Sequence, residues 1–197
     1  MTEEQYVLIL YYSGTGQVAH MAREMAKAVE QTGIEAKVRT VPKVSLSTEQ
    51  SEPKIPSEGD VYATIDDLAH CSGLLLGSPG YFGNMSAHLK FFLDGASSVW
   101  MSGQLINKPA GVFTSTASMH GGQETTLMSM MLPLFHMGMI MVGVPYSVPQ
   151  LSQTTRGGTP YGASHVTGAN GEWALSEDER LMCQEQAKRV ALLAQRS

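Results

Sequence analysis

Val7-Leu8-Ile9-Leu10-Tyr11-Tyr12-Ser13-Gly14-Thr15-Gly16-Gln17-Val18-Ala19-His20-Met21-Ala22 is the stretch whose reading decides the fold. Val7 to Tyr12 is apolar and aromatic throughout, as a strand buried on both faces is. The run breaks at Ser13-Gly14-Thr15-Gly16-Gln17. From there Val18, Met21, Ala22, Met25 and Val29 fall at helical spacing. The chain therefore reads strand, tight glycine turn, helix. The first N–H groups of a helix have no intrahelical acceptor and lie at the positive end of its dipole, so such a junction favours an anion by ~0.3–1 kcal/mol. Ser13 and Thr15 add hydroxyls, and the stretch reads as a phosphate cradle. The plain alternative is that its glycines only let a helix pack close to a strand.

What is missing narrows the ligand. A nucleoside triphosphate loop needs a lysine and a hydroxyl for magnesium after its glycines, and no charged residue stands between Ser13 and Ala19. Gly14-x-Gly16-x-x-Ala19 matches the relaxed dinucleotide fingerprint, which also wants an acid about 20 residues on, at the end of strand two. Val38-Arg39-Thr40-Val41 stands there instead. Bound NAD is disfavoured, with Arg39 leaving a weak case for a 2′-phosphate. A phospho-receiver needs paired carboxylates after strand one, and Tyr11-Tyr12 cannot hold magnesium.

Along the rest of the chain, apolar runs alternate with helical patterns. The first helix should end near Gly33, and Glu35 to Val41 alternates as a half-exposed strand stopped by Pro42. Residues 43 to 60 have no periodicity and read as a surface excursion. Thr64-Ile65-Asp66-Asp67 has the layout of a capping box opening a short helix to about His70, and Gly73 to Gly77 is an apolar third strand. Ser78 to Asn84 is a loop, and Ser86 caps a helix with Leu89, Phe92 and Leu93 inward. Pro109 to Thr114 is strand four, 115 to 122 a loop of small and hydroxyl residues, and a helix starts near Gln123 that Pro133 should kink or end. Met139 to Val144 is strand five. Pro145 to Glu172 is too long for an idle connection. Ser176 with Glu179 forms a second capping box before a helix whose core face is Cys183, Ala187, Val190, Ala191 and Ala194. Alternating strands and helices imply one α/β domain over 1–197, with a five-stranded parallel sheet in the flavodoxin-like order 2-1-3-4-5 and helices on both faces. In that order the three small-residue loops after strands one, three and four converge at the switch point, where a ligand belongs.

Composition excludes several partners. The net charge of −5, from 18 acidic and 13 basic residues, is scattered, so nucleic acid is not expected. No apolar run approaches 18 residues and no signal-peptide pattern opens the chain, which points to a cytoplasmic protein without a membrane segment. Cys71 and Cys183 stand apart, as free thiols of a reducing compartment do, and His20, His70, His88 and His165 show no metal spacing. Many of the 13 methionines cluster between Met119 and Met141, which reads equally as core or as an oligomer interface.

Tyr12-Ser13-Gly14-Thr15-Gly16 resembles the phosphate loop of flavodoxins. Gly77-Ser78-Pro79-Gly80-Tyr81-Phe82-Gly83-Asn84-Met85, Ser115-Thr116-Ala117-Ser118-Met119-His120-Gly121-Gly122-Gln123-Glu124-Thr125 and Gly157-Gly158-Thr159-Pro160-Tyr161-Gly162-Ala163 extend the likeness. In this order, from about residue 6 to the end, they resemble the WrbA-type NAD(P)H:quinone oxidoreductases. The resemblance implies FMN as cofactor, NADH or NADPH as donor, a quinone as substrate, a ping-pong mechanism and a homotetramer. It implies that Ser13, Thr15, Gly16, Gln17 and Val18 hold the phosphate and that Pro79, Tyr81, Phe82 and Gly83 meet the ring. Ser115, Thr116, Ala117, Ser118, His120 and Gly121 would close its other side. Trp100 would stack the quinone, and His136 would lie near the flavin and polarise the quinone oxygen. Tyr81 stands where an arginine is common in the family, and Thr15 where some members carry an aromatic residue thought to meet the donor's adenine; both put nicotinamide binding in question. The rival reading is a flavodoxin-like electron carrier or FMN-binding regulatory protein without turnover of its own.

Overall fold

The computed structural model describes residues 5–47 and 52–196, so part of the 43–60 excursion lies outside the described residues. Its elements are β1 (Tyr6–Tyr11), α1 (Gln17–Glu30), β2 (Glu35–Thr40), α2 (Ile65–Ala69), β3 (Gly73–Pro79), α3 (Ala87–Asp94) and α4 (Ser97–Met101). They continue as β4 (Pro109–Thr116), α5 (Gln123–His136), β5 (Ile140–Met141), α6 (Gln150–Gln153), β6 (Ala163–Val166) and α7 (Glu177–Ala194). All strand pairings are parallel, in the order β2-β1-β3-β4-β5, with β6 also on β4. This is the flavodoxin-like arrangement expected.

The period of two along each strand sorts its side chains to two cores. Tyr6, Leu8, Leu10, Leu74, Leu76, Ala110 and Val112 face α2 to α5, with Leu89, Leu127 and Met130. Val7, Ile9, Tyr11, Leu75 and Phe113 face α1 and α7, with Met21, Met25, Cys183 and Val190. Both sides of the sheet are thus covered, and β1, buried at all six positions, needs no polar residue.

The fifth lane differs from the single strand expected over Met139 to Val144. β5 pairs only Ile140 and Met141 with Pro109 and Ala110, the chain then leaves, and β6 returns beside Phe113 to Thr116. The sheet has six strands, the last two sharing one lane. The backbone groups exposed by the gap are satisfied by the buried Gln186 of α7. Its Nε2 donates to Val112 O (3.2 Å) and Val142 O (3.0 Å), and its Oε1 accepts from Ala163 N–H (3.0 Å). One side chain therefore replaces the missing ladder bonds, which is what lets the excursion from 142 to 162 leave the sheet without orphaned polar groups. α5 runs through Pro133 and ends one turn later at His136. No helix among the described residues is long and apolar enough to cross a membrane.

Candidate active site

The parallel register brings the ends of β1, β3 and β4 together, and the loops that follow them meet. β1 ends where Tyr12 N–H donates to Gly77 O (3.0 Å). Ser13 to Gly16 then turn into α1, whose N-cap, Gly16, is left-handed (φ 88°) and offers no side-chain acceptor. Nearby, only the Ser13 hydroxyl reaches in, accepting from Ala19 N–H at 3.4 Å. The N–H groups opening α1 therefore remain available, in an uncharged junction at the positive end of a 14-residue helix. A side chain at Gly16 would hold the backbone in a conformation that L-residues avoid.

The loop after β3 is a tight turn. Tyr81 N–H donates to Asn84 O (2.9 Å) and Asn84 N–H to Tyr81 O (3.0 Å), with Phe82 at φ 53° and Gly83 at φ 75°. Positive φ at both central residues is the I′ geometry of a hairpin turn. It leaves the Phe82 and Gly83 amides without an intramolecular backbone acceptor among the described residues and the Phe82 ring fully exposed. A non-glycine residue there is strained, and such strain gathers where a ligand is held. Ser78 supports the loop from below, its hydroxyl donating to Pro79 O (2.9 Å) and accepting from Ser86 N–H (2.8 Å).

The loop after β4 mirrors the first. Ser115 and Thr116 are buried at the strand end, Ala117 to Gly121 are exposed, and α5 opens at Gly122, again left-handed (φ 84°) and without a side-chain cap. An added Cβ on Gly122 would come within 3.0 Å of Gly83 Cα, so the two loops touch backbone to backbone. Gly80 N–H donates to Ser115 O (2.9 Å), and Gln123 Oε1 and Thr126 Oγ1 are buried there without partners. The hydroxyl of Tyr81 reaches the phosphate junction, 3.2 Å from where a Cβ on Gly14 would stand. Burial and the neighbouring Tyr81 raise the Tyr12 pKa. The residues present fit a mononucleotide: uncapped amides for a phosphate, and a rigid turn with free amides beside a loop of small residues for a flat ring.

Two expected site residues are not part of this cluster. His136 is the last of the 14 residues of α5, ~20 Å of helix from its start. There it sits beside the beginning of β4, where Asn107 N–H donates to Gly138 O (2.9 Å). Trp100, on α4, shares with His136, Lys90, Leu132 and Pro133 an exposed cleft of about 370 Å³ at that same end. The structure thus brings Trp100 and His136 together and keeps both away from the three loops of their own chain. Arg39, the residue left for a 2′-phosphate, is engaged by Asp67, its Nε 3.4 Å from the carboxylate.

Sequence reading overlooked the wall opposite the β4 loop. Gln17 Nε2 donates to Gly171 O (2.9 Å), tying the segment after β6 to the phosphate junction. His165, assigned no role, is fully buried, its Nδ1–H donating to Glu179 Oε2 (3.0 Å). Burial alone would raise the Glu179 pKa, but the His165 contact and the Ser176 and Val166 N–H groups outweigh it and hold the carboxyl at about 2. Glu179 also accepts from Gly157 N–H (2.9 Å), so this carboxylate anchors the returning excursion to α7.

The model of the NADPH-dependent FMN reductase family matches residues 10–152, and the chain belongs to that family. Membership makes it a flavodoxin-like oxidoreductase whose cofactor is FMN and whose donor is a reduced nicotinamide dinucleotide. Among individual relatives, an NAD(P)H dehydrogenase (quinone) of Solidesulfovibrio magneticus is 41% identical, over 96% of this chain and 98% of that one. A flavodoxin, WrbA-like protein of Agrobacterium tumefaciens has the same fold at a TM-score of 0.70 and 21% identity, covering 98% of each chain. An archaeal flavodoxin follows at a TM-score of 0.63 and 14% identity, over 97% of this chain and 99% of that one. The family read from the motifs is borne out.

Proposed function

We propose that this protein transfers two electrons from NAD(P)H to a quinone through bound FMN, the two substrates using one slot in turn. The observation that carries the reading is the pair of helices, α1 and α5, each opened by a left-handed glycine without a side-chain cap, on either side of the strained Tyr81–Asn84 turn. Ser13, Thr15, Gly16, Gln17 and Val18 hold the phosphate. Pro79, Tyr81, Phe82 and Gly83 take one edge of the ring, and Ser115, Thr116, Ala117, Ser118, His120 and Gly121 its other side. FMN supplies the hydride acceptor and two-electron donor that no side chain can be. The chain's own task is to hold planar partners in contact and to place hydrogen-bond donors where charge develops.

His136 and Trp100 serve this chemistry from a second copy of the chain, since His136 lies the length of α5 from its own loops and Trp100 shares its cleft. Phe91, Trp100, Met101, Leu132 and Phe135 are all exposed on or near that face, more apolar surface than a lone molecule usually leaves in water. A homotetramer in the cytoplasm is part of the same proposal. There Trp100 covers the quinone and His136 donates to its oxygen.

The purified protein should be yellow and oxidise NADH or NADPH with benzoquinone, giving parallel lines in double-reciprocal plots. FMN at 100-fold excess over its dissociation constant should stabilise the fold by about 2.7 kcal/mol. Absence of both a flavin band and a melting shift would remove the reading. A stable monomer on gel filtration would remove only the shared site.

A further inference from the structure

A cleft of about 880 Å³ lies beside the loop after β4, and apart from Ala117 and Ser118 its lining has so far been given no ligand. One wall is Ala117, Ser118 and Met119, from the loop after β4; the other is the segment from Gly168 to Ser176 that follows β6. Its size is that of a small-molecule site, and its lining has the usual character of one, apolar with a few polar groups. Trp173 is 45% exposed, and Met119 is half-exposed. The Arg156 guanidinium lies 4.8 Å over the Trp173 ring. Its Nη2 donates to Val166 O (2.8 Å) and Ala174 O (3.1 Å), while its buried Nε has no partner. Arg156 is thus fixed in place by neutral carbonyls and makes no ion pair among the described residues, while the one acidic group of the lining, Glu172, is turned to Asn170 N–H (2.9 Å).

The walls are fixed before any ligand arrives. Trp173 N–H donates to Thr167 O (2.8 Å), and Gly171 is held by Gln17 of the phosphate junction. An aromatic platform with a fixed guanidinium, opening next to a flavin, matches the half of a nicotinamide dinucleotide that the ring slot leaves outside. The nicotinamide needs the flavin; the adenine needs a flat face, and the diphosphate a cation. The junction Ser13 to Val18 carries no ring for the adenine.

We propose that this cleft binds the adenine nucleotide half of the donor, Trp173 stacking the adenine and Arg156 facing the diphosphate. Naming the donor rests on the redox reading above; the affinity of the cleft for an adenine nucleotide does not. Titrating the purified protein with ADP-ribose should quench indole emission saturably, and the quench should vanish in Trp173→Leu, which keeps Trp100. In the FMN-loaded enzyme Trp173→Leu should raise the KM for the donor about tenfold, within the range of a lost base–aromatic stack. The KM for benzoquinone and the affinity for FMN should not move. Trp173→Phe, which keeps a ring, should restore ADP-ribose binding and guards against a folding defect. If FMN binds while ADP-ribose neither quenches nor competes with the donor, this cleft is not the site and the redox reading survives. If ADP-ribose binds through Trp173 while FMN does not bind, the redox reading falls and the adenine site stands.

Discussion

Five of the described helices begin in one of two ways, the short α4 and α6 being the exceptions. α2, α3 and α7 start at Thr64, Ser86 and Ser176, whose hydroxyls accept the N–H of the residue three ahead, and in α2 and α7 an acid reaches back to complete the box. α1 and α5 start at Gly16 and Gly122, both left-handed and without a side-chain cap, a long 3.4 Å contact from Ala19 N–H to the Ser13 hydroxyl being what α1 has in its place. A hydroxyl cap answers the helix's own demand for acceptors; a glycine leaves the demand standing. The closed starts hold the fold together and the open ones face the converging loops. On the function proposed here, the difference separates stability from binding within one class of local structure.

The sharpest way to break that distinction is Gly16→Val. Backbone strain of ~1–2 kcal/mol should lower the melting temperature modestly. FMN affinity, measured by calorimetry, should fall by about 100-fold, as expected when two charge-assisted hydrogen bonds are lost. Unchanged affinity would mean that the open start of α1 serves no ligand.

Glu179→Gln tests the opposite pole. The carboxyl sits at about 2 in the folded protein, below its unfolded value, so its stabilisation is present above about pH 4.5 and is lost as pH falls toward 2. The variant should be less stable by about 3 kcal/mol at pH 7 in urea titration, with the wild type converging on it near pH 2 and FMN affinity at pH 7 intact. A gap that stays constant with pH would assign the loss to packing.

Ser86→Ala should cost about 1 kcal/mol, the worth of an N-cap, without altering flavin affinity. Thr64→Ala, on a helix of only five residues, should cost less, about 0.5 kcal/mol, by the same measurement. A loss of flavin binding in either would blur the boundary between the two kinds of start.

Much of this was legible in the residues. Thr64 with Asp67 and Ser176 with Glu179 announce their helices through a spacing of three, and the apolar runs of β1, β3 and β4 are long enough to be unmistakable. Because those strands are parallel neighbours, the loops after them had to meet. The fifth lane was not legible: Met139 to Val144 is as apolar as any strand, and nothing in it shows that the ladder stops at Met141. β6 was hidden because Ser164 and His165 do not look like core, and they become so only through partners outside the strand, Gly158 in the loop before it and Glu179 on α7. The placement of His136 follows from helix length, which motif matching ignores. Arg156 and Trp173 carry no motif between them, and only the folded chain puts one over the other.

The divided lane has a further consequence. An unbroken strand at the rim of a sheet is a template on which other chains can polymerise, and here that rim is cut into pieces of two and four residues with an excursion between them. The opposite rim, β2, carries Lys37 and Arg39, both paired with Asp67. With one border interrupted and the other charged, the sheet offers an incoming strand no long unpaired edge to continue.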